Sequence, residues 1–196
     1  MLAVAVAAFN QLSGINAILY YLNDIFAAAG FGRVSAAGQA VIIGATNLVF
    51  TLMALAVIDR FGRKSLLRAG SIGLIVSLAA TAYIEYSRAH QNWLVWMLVV
   101  FIASFAFSQG TVIWVYISEI FPTEVRSRGQ ALGASTHWFM DALIATLFPI
   151  AAAYSKGLPF VFFAAAMVAQ LVVVTLFFPE TKRLKLEDVE SALERV

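Results

Sequence analysis

The stretch WLVWMLVVFIASFAFSQGTVIWVYI, which occupies residues 93–117, contains no charged side chain. A membrane-spanning helix needs about 20 mainly apolar residues, because each residue rises about 1.5 Å and the hydrocarbon core is about 30 Å thick. This stretch is therefore long enough to cross a bilayer. The rest of the chain agrees, because 62% of its 196 residues are hydrophobic and only 12% are charged, whereas soluble domains are about half apolar and a quarter charged.

Six such stretches follow one another, separated by short polar loops. The predicted spans are residues 2–28, 39–58, 66–86, 93–117, 129–153 and 158–178. A single segment can cross lipid as a helix, because a helix hydrogen-bonds its backbone N–H and C=O groups internally. We therefore predict an all-α polytopic membrane protein whose residues 1–178 form six transmembrane helices. Residues 179–196 turn charged but keep spaced apolar residues, which predicts a cytoplasmic tail helix.

The basic side chains are distributed unevenly between the two ends of the spans. Most of the thirteen Lys and Arg residues fall within 59–68, 126–128 and 182–195. The opposite ends carry Arg33, Arg88 and Lys156. Because cytoplasmic loops are enriched in Lys and Arg, both termini are predicted to be cytoplasmic, and we expect an integral protein of the plasma (inner) membrane. Six spans with both ends on one side correspond to half of a twelve-helix transporter.

Composition excludes several other classes of protein. The chain has no cysteine, which excludes disulfides and thiolate metal sites, and we predict neither a metal nor a cofactor. Its net charge is only +2, and its basic residues do not alternate with aromatic ones along a polar stripe, so no nucleic acid partner is expected. Met1 leads into an apolar run without the basic region of a signal peptide, so we expect the chain to start inside a larger protein.

Polar side chains at membrane depth mark a candidate pathway, because they cost free energy unless they face a cavity or a partner. Gln11 and Asn16 lie five residues apart in the first span. An ideal helix turns them away from each other, but a kink at Ser13-Gly14 would bring them to one face. They either bind a solute or hydrogen-bond neighbouring helices, which is worth about 0.6 kcal/mol per bond.

Two other spans carry side chains that suit a carbohydrate. Asn47 in the second span has Thr51 one turn away, and Trp114 in the fourth span follows a flexible SQGT segment. A sugar ring packs its apolar face on an indole, while its hydroxyls require amides. Asn47 is either a ligand contact or part of an interhelical bond.

The fifth span carries two ionisable side chains. His137 and Asp141 are four residues apart, so they share one helix face, and Asp141 lies near the middle of its span. Three interpretations remain open: a proton carrier coupled to His137, a substrate hydrogen-bond acceptor, or a static pair whose members satisfy each other.

Four short motifs occur in order along the chain. They are QLSGIN at 11–16 followed by Tyr20-Tyr21, DRFGRK at 59–64, SEIFPTEVR at 118–126 and PETK at 179–182. Together they resemble the C-terminal half of the sugar porter family of the major facilitator superfamily. Each motif alone is weak, but four in order at appropriate spacing are specific, and the resemblance covers essentially the whole chain.

The resemblance implies one half of a major facilitator fold that transports a monosaccharide, either a hexose or a pentose. The sugar would bind between this half and an N-terminal six-helix half, and rocking would expose it to each side in turn, by secondary-active or facilitative transport. Gly14 and Gly110 would let spans one and four bend as gates. The expected partners are the sugar, membrane lipid, the N-terminal half and, where the ionisable pair is a carrier, protons.

The resemblance also implies a set of substrate-binding residues. Its amides and tryptophans map onto family positions that contact the sugar, whereas His137 and Asp141 stand where relatives usually have Asn or Gln. This departure suggests an altered substrate or added ionisable chemistry. The predicted substrate-binding residues are Gln11, Asn16, Asn47, Trp114, His137, Trp138 and Asp141.

Charged residues of two motifs resemble the family's salt bridges, which join helix ends when the inner gate is shut. A single exposed pair contributes only about 0 to 1 kcal/mol, but charges that share partners can switch collectively. The alternative is that these charges reflect only membrane orientation, because cytoplasmic loops are enriched in basic residues whether or not they gate transport. The predicted gating residues are Asp59, Arg63, Lys64, Glu119 and Arg126.

Two other functions were weighed against transport. A membrane-embedded hydrolase built on a serine, His137 and Asp141 is disfavoured, because the chain has only two histidines and no nucleophile elbow or HExxH motif. We therefore expect no enzyme. A non-transporting remnant or interaction protein is the other alternative, because the half that would complete the cavity is not in this chain.

Overall fold

The computed structural model describes residues 1–28, 30 and 33–182, without the side chains of 33–37, 39 and 40. All regular elements in this part of the chain are helical, and a short 3₁₀ turn at Gln91–Trp93 precedes α6. The α-helices α1 to α9 are Leu2–Leu12, Ile15–Tyr20, Leu22–Ala28, Arg33–Phe61, Arg63–Ser87, Leu94–Phe107, Gln109–Glu119, Arg126–Tyr154 and Leu158–Phe177.

Six helical segments of the described chain are long and apolar enough to cross a membrane. The predicted all-α class with six spans is therefore confirmed. The tail helix predicted for 179–196 lies outside the described residues, apart from 179–182, which are not helical. The six segments are Leu2–Tyr20, Val41–Phe61, Arg63–Ser87, Gln91–Glu119, Arg126–Tyr154 and Leu158–Phe177.

The first three spans pack mainly against the last three rather than against each other. α1 runs along α8, α4 runs along α6, and α5 runs along both α6 and α9. Gly70 and Gly73 of α5 lie directly against Ser104 and Ser108 of α6. Small residues let helix backbones approach closely where lipid supplies no hydrophobic driving force. The α5–α6 contact is therefore close because neither side presents a large side chain.

The kink predicted at Ser13-Gly14 is confirmed as a break between α1 and α2. Gly14 has a φ of +82°, a left-handed conformation that side chains with a Cβ resist. A Cβ at this position would also collide with the Phe163 ring on α9. Glycine is therefore required both by the backbone and by the packing.

The fourth span is broken at Ser108, two residues before Gly110, where bending was expected. Ser108 has φ −125° and ψ −90°, so it ends α6 and precedes α7. The break leaves backbone carbonyls of α6 without their usual helical donors. Hydroxyls replace them, because Ser108 Oγ donates to the Ser104 carbonyl at 2.7 Å and Thr111 Oγ1 donates to the Ala106 carbonyl at 3.0 Å.

The break in the first span is repaired in the same way. The Gly14 N–H donates to the Gln11 carbonyl at 2.8 Å, instead of continuing the α-helical pattern. Ser13 Oγ then donates to the Asn10 carbonyl at 2.6 Å. Unpaired backbone groups cost several kcal/mol in hydrocarbon, so these hydroxyls make both breaks compatible with a membrane.

Buried amides connect three spans close to these breaks. Asn10 Nδ2 of α1 donates to the backbone carbonyl of Gln109 on α7 at 3.3 Å. Gln109 Nε2 donates in turn to Gln170 Oε1 of α9 at 2.8 Å. We call Asn10, Gln109 and Gln170 the amide layer. It joins the first, fourth and sixth spans at the level where two of them are broken.

Two hydrophobic clusters make up the core of the bundle. One contains Phe101 and Phe160 together with apolar residues of α2, α3, α5 and α8. The other contains Tyr116 and Phe178 together with apolar residues of α1 and α5. Side chains of the amide layer are almost fully buried as well. Most of the core is therefore apolar, and the amides and helix breaks interrupt it, as do buried polar residues of α5 such as Thr81 and Glu85.

Two spans bury little of their surface within this chain. Only 17% of the apolar window of Val41–Phe61 and 22% of that of Arg126–Tyr154 are buried, against 56% for Leu2–Tyr20. Isolated exposed apolar residues are normal, but large contiguous apolar surfaces mark contact with lipid or with another protein. α4 and α8 therefore present most of their surface to something outside the described fold.

Replacing Gly14 with alanine is expected to lower the free energy of unfolding by at least about 2 kcal/mol, because it imposes left-handed strain and overpacks the site. The measurement is the thermal unfolding midpoint of the purified protein in detergent. Gly44→Ala is the matched control, because a Cβ at Gly44 has no neighbour within 4 Å. Equal midpoints for the two variants would contradict the requirement for glycine at position 14.

Candidate functional site

An open cavity of about 280 Å³ lies beside the breaks in the first and fourth spans. Its wall combines amides, an imidazole and two indoles with a few apolar side chains. Its volume is close to the lower end of the range for ligand pockets, about 300 Å³. The lining residues are Asn10, Gln11, Ile15, Asn16, Phe105, Gly110, Ile113, Trp114, His137 and Trp138.

The break at Gly14 brings the two predicted amides to this cavity. Gln11 lies in the last turn of α1 and Asn16 in the first turn of α2. On a continuous helix these positions would point apart, but here both line the same cavity. Gln11 is buried and Asn16 is half-buried. The chain thus presents hydrogen-bonding groups from both sides of one helix break.

The rings of Trp114, His137 and Trp138 also line the cavity. The Trp114 and His137 ring centroids are 5.1 Å apart with the planes tilted by 55°. Trp138 meets His137 edge-on, also at 5.1 Å. The two tryptophans are 45% and 59% exposed, so their rings are accessible surfaces rather than core packing. Such exposed indoles can stack against the apolar face of a ligand.

His137 is held by an amide and not by the acid on its own helix. Gln11 Nε2 lies 2.9 Å from His137 Nε2 and 3.3 Å from His137 Nδ1. No hydrogen bond joins His137 to Asp141 among the described residues. Both side chains are 7% exposed. The predicted shared face is therefore present, but the static pair, in which each satisfies the other, is not formed.

Asp141 has a different partner and does not line the cavity. Tyr20 OH of α2 donates to Asp141 Oδ2 at 3.2 Å. The other carboxylate oxygen, Oδ1, is buried and has no hydrogen-bond partner. An unsatisfied carboxylate oxygen at membrane depth is costly. Asp141 thus leaves one buried carboxylate oxygen unpaired beside the cavity, as Asn10 does with its amide Oδ1.

Asn47 lies apart from the other predicted ligands. It is half-buried on α4, and it accepts a hydrogen bond from Thr51 Oγ1 at 3.4 Å within the same helix. It is not among the residues that line the cavity. Because α4 is the least buried span, Asn47 can meet a ligand only if another part of the protein closes over that helix.

Sequence reasoning assigned no role to three residues that support the site. Asn10 lines the cavity, and Gln109 and Gln170 tie the broken helix behind it to α9. Each is an amide within an apolar span, which was a usable signal. The pairing itself could not be predicted, because it depends on how three distant spans pack.

A second polar group lies at one end of the bundle and is centred on Arg63. The guanidinium of Arg63 binds Glu119 through two bonds, Nη2 to Oε1 at 2.6 Å and Nε to Oε2 at 3.0 Å. It also contacts Asp59 at 2.8 Å. The Arg63 side chain is 9% exposed, that of Glu119 25% and that of Asp59 84%. The Arg63–Glu119 pair is therefore the part that water screens least.

Glu180 and Thr181 complete this group, although sequence reasoning gave them no role. Glu180 accepts the backbone N–H of Arg63 at 2.9 Å and that of Lys64 at 3.1 Å, so it caps the start of α5. Thr181 Oγ1 donates to Glu119 at 2.7 Å. We call Asp59, Arg63, Glu119, Glu180 and Thr181 the Arg63 cluster. PETK was recognised as a motif, but its contacts required the fold.

Gly62 allows the carboxylate of Glu180 to reach the start of α5. Its φ is +89°, and a Cβ there would overlap the Glu180 carboxylate. The glycine of DRFGRK therefore has a physical reason that the motif alone does not supply.

The other two predicted gating residues make no salt bridge in the described part of the chain. Lys64 joins the Arg63 cluster through its backbone N–H. The Arg126 guanidinium donates to the Phe121 carbonyl at 3.3 Å and to Thr123 Oγ1 at 3.4 Å, both within its own loop. Three of the five predicted residues, Asp59, Arg63 and Glu119, are thus brought together.

Metal binding finds no support within the described ranges, where no group of three or more His, Cys, Asp or Glu side chains could hold an ion.

Comparison with known proteins decides the family. The family model described as "Sugar (and other) transporter" matches residues 1–193. The chain belongs to this sugar transporter family. As predicted from the motifs, it is an integral membrane protein of a transporter family and not an enzyme.

Curated relatives in the sugar transporter family agree with this assignment. The chain is 34% identical to the glucose facilitated diffusion protein of Zymomonas mobilis, covering 96% of this chain and 41% of the relative. It is 30% identical to the D-xylose-proton symporter of Escherichia coli, with 99% and 41% covered. It is 38% identical to the glucose transporter GlcP of Staphylococcus epidermidis, with 95% and 43% covered. The chain spans about two fifths of the length of these relatives.

Solved structures place the fold in the major facilitator superfamily. The proton:xylose symporter XylE bound to 6-bromo-6-deoxy-D-glucose superposes with a TM-score of 0.90 at 30% identity, covering 97% of this chain and 42% of that one. The inward open conformation of XylE from E. coli gives a TM-score of 0.86 at 29% identity, with 97% and 40% covered. The six spans therefore form one half of a major facilitator fold.

Glu119→Gln is expected to destabilise the protein by about 3 kcal/mol, because it leaves the buried Arg63 guanidinium without its bidentate partner. Asp59→Asn is the matched control and should change stability by less than about 1 kcal/mol, since its carboxylate is exposed. Thermal unfolding in detergent measures both. A larger loss for Asp59→Asn than for Glu119→Gln would contradict the ranking of these two contacts.

Proposed function

We propose that this chain is the C-terminal half of a transporter that moves a monosaccharide, a hexose or a pentose, across the membrane by alternating access. The named relatives include a glucose facilitator and a xylose-proton symporter, so both facilitative and proton-coupled transport occur among proteins of this type. In this mechanism the sugar binds between two six-helix halves, which rock around it. No covalent step is required.

The observation that carries this proposal is the composition of the cavity wall. The amides of Gln11 and Asn16 line the cavity together with the exposed indoles of Trp114 and Trp138. Sugar hydroxyls need donors and acceptors such as amides supply, whereas the C–H face of a sugar ring packs on an indole. The same wall offers little to a purely apolar or a strongly charged solute.

The open side of the cavity supports a second half as partner. The cavity is open, and α4 and α8 bury little surface within this chain. A polar cavity open to lipid is costly, so an N-terminal six-helix half that covers it is the expected occupant. Asn47 on α4 would meet the sugar only in that assembled state, together with Asp141 once the halves close.

The Arg63 cluster supports a role in gating. It joins the end of α4, the start of α5, the end of α7 and the segment after α9. A cluster that ties four helix ends with shared partners holds or releases them together. The side chains of Lys64 and Arg126 make no salt bridge in the described structure, and they are available to acids of the other half.

The distribution of Lys and Arg supports an orientation with both termini in the cytoplasm, in the plasma (inner) membrane. The Arg63 cluster would then lie on the cytoplasmic side, and the cavity would lie near the middle of the bilayer.

Uptake of radiolabelled D-glucose or D-xylose into proteoliposomes tests the proposal, using this chain assembled with an N-terminal six-helix half. Trp114→Ala should raise the KM by about tenfold, which corresponds to about 1.4 kcal/mol of lost stacking and packing. Trp96→Ala is the matched control, because this tryptophan is 60% exposed and does not line the cavity. It should leave the KM within about twofold.

Two results would overturn the proposal. A folded complex that takes up neither sugar would favour a non-transporting remnant or interaction protein. Equal KM values for Trp114→Ala and the unmodified complex would show that the Trp114 indole does not contribute to sugar binding.

A further inference from the structure

His137 makes the hydrogen bonding of Gln11 depend on a proton. A neutral imidazole has one donor nitrogen and one acceptor nitrogen, whereas an imidazolium has two donors. Gln11 Nε2 lies 2.9 Å from His137 Nε2, which fits an amide N–H donating to a neutral ring. A protonated ring cannot accept that bond. Gln11 would then have to turn its amide by 180° and offer its oxygen to the ring.

The turn of the amide changes what the cavity presents to a substrate. With His137 neutral, one N–H of Gln11 is engaged by the ring, and the amide oxygen and the second N–H remain for substrate hydroxyls. With His137 protonated, the oxygen is engaged, and both N–H groups are available as donors. Both residues line the cavity and are at most 7% exposed, so water competes little for either arrangement.

Asp141 supplies a negative charge that favours the protonated ring. It lies one turn from His137 on the same face of α8, it is 7% exposed, and its Oδ1 has no hydrogen-bond partner. Its Oδ2 accepts the Tyr20 hydroxyl. A buried carboxylate with an unpaired oxygen is stabilised by a nearby cation. An imidazolium at His137 is the cation that this face can provide.

Other titratable groups do not compete at this point. Of the helices that pack against α8, α1 and α9 carry no titratable side chain, and α2 carries only Tyr20. α7 carries Tyr116 and Glu119, which belong to the other end of that helix, where Glu119 binds Arg63. Tyr21, between α2 and α3, also faces α8, where its hydroxyl donates to the Ala145 carbonyl at 3.3 Å. In the described part of the chain, the proton balance beside the cavity therefore rests on His137 and Asp141, with Tyr20 and Tyr21 as neighbouring hydroxyls.

We propose that His137, supported by Asp141, is a proton-binding site within the sugar cavity, and that its proton sets whether Gln11 offers the sugar a free oxygen with one N–H donor or two N–H donors. This inference rests on the proposed function and assigns it a coupling ion. It also gives His137 and Asp141, the departure that the resemblance implies, a physical role, because neither Asn nor Gln can change its hydrogen bonding in this way.

The sign of the coupling follows from charge. With His137 neutral and Asp141 ionised, the pair carries one negative charge, and a sugar that fills the adjoining cavity displaces the water that screens this charge. With His137 protonated, the pair is neutral overall, and the same desolvation costs less. Sugar binding is therefore accompanied by proton uptake, and affinity rises as the pH falls.

The test is calorimetric titration of the two-half complex with D-xylose and D-glucose at about pH 8 and about pH 5.5, the range in which histidine titrates. The dissociation constant is expected to fall by about fivefold or more at the lower pH. Titrations near pH 7 in two buffers of different ionisation enthalpy measure proton uptake directly. The heat of binding should differ between the buffers in the direction of protons taken up.

Three variants separate this role from a structural one. His137→Gln keeps a hydrogen-bonding side chain beside Gln11 but cannot take a proton, so it should bind sugar with less than about twofold dependence on pH. Asp141→Asn should reduce the gain in affinity at low pH, because the imidazolium loses its counter-charge. His90→Asn is the control, since it removes the other histidine, which is exposed in a loop, and it should retain the full pH dependence.

The outcomes are distinguishable from failure of the proposed function. Absence of sugar binding at every pH, in a folded complex, would overturn the transport proposal itself. Binding with equal affinity at both pH values and without buffer-dependent heat would overturn the proton site alone. Full pH dependence retained in His137→Gln would also overturn it, even if uptake is otherwise normal.

Discussion

The structure depends on one constraint. A helix that is broken inside lipid must still find hydrogen-bond partners for its backbone N–H and C=O groups. Two of the six spans are broken, at Gly14 and at Ser108. Hydroxyl groups beside each break donate hydrogen bonds to the carbonyls that the break leaves without a helical partner. The breaks in turn allow Gln11 and Trp114 to reach one cavity from different spans. Without hydroxyls in these positions the breaks would cost several kcal/mol each. The polar site is thus made possible by local backbone repair.

The two polar sites rely on different physics. The cavity is built from neutral amides and aromatic rings, with a single acid behind it. Its side chains can therefore exchange one hydrogen-bond partner for another at a low cost in free energy. The Arg63 cluster is built from charges that share partners, and its centre is shielded from water. Removing one member of such a group leaves its partner as a buried, unpaired charge, which destabilises the fold. One site is suited to reversible binding and the other to holding helix ends together.

Sequence predicted the features that depend on local patterns. Apolar length predicted six helical spans, and glycine beside serine predicted the bend in the first span. Spacing alone placed His137 and Asp141 on one face. It could not show that Gln11 would hydrogen-bond to His137 while Tyr20 donated to Asp141. The roles of Gln170 and Glu180 were also missed, because their partners lie in other spans. Contacts between distant spans depend on packing, which no local pattern encodes.

The amide layer has a consequence for the order of biosynthesis. Asn10 belongs to the first span, Gln109 to the fourth and Gln170 to the last. During synthesis the early spans enter the membrane while the partner of Gln109 has not yet been made. Until the sixth helix arrives, Gln109 Nε2 lacks its Gln170 partner and must keep contact with water or another polar group. Completion of the amide layer would then be a late checkpoint that only the last helix can satisfy.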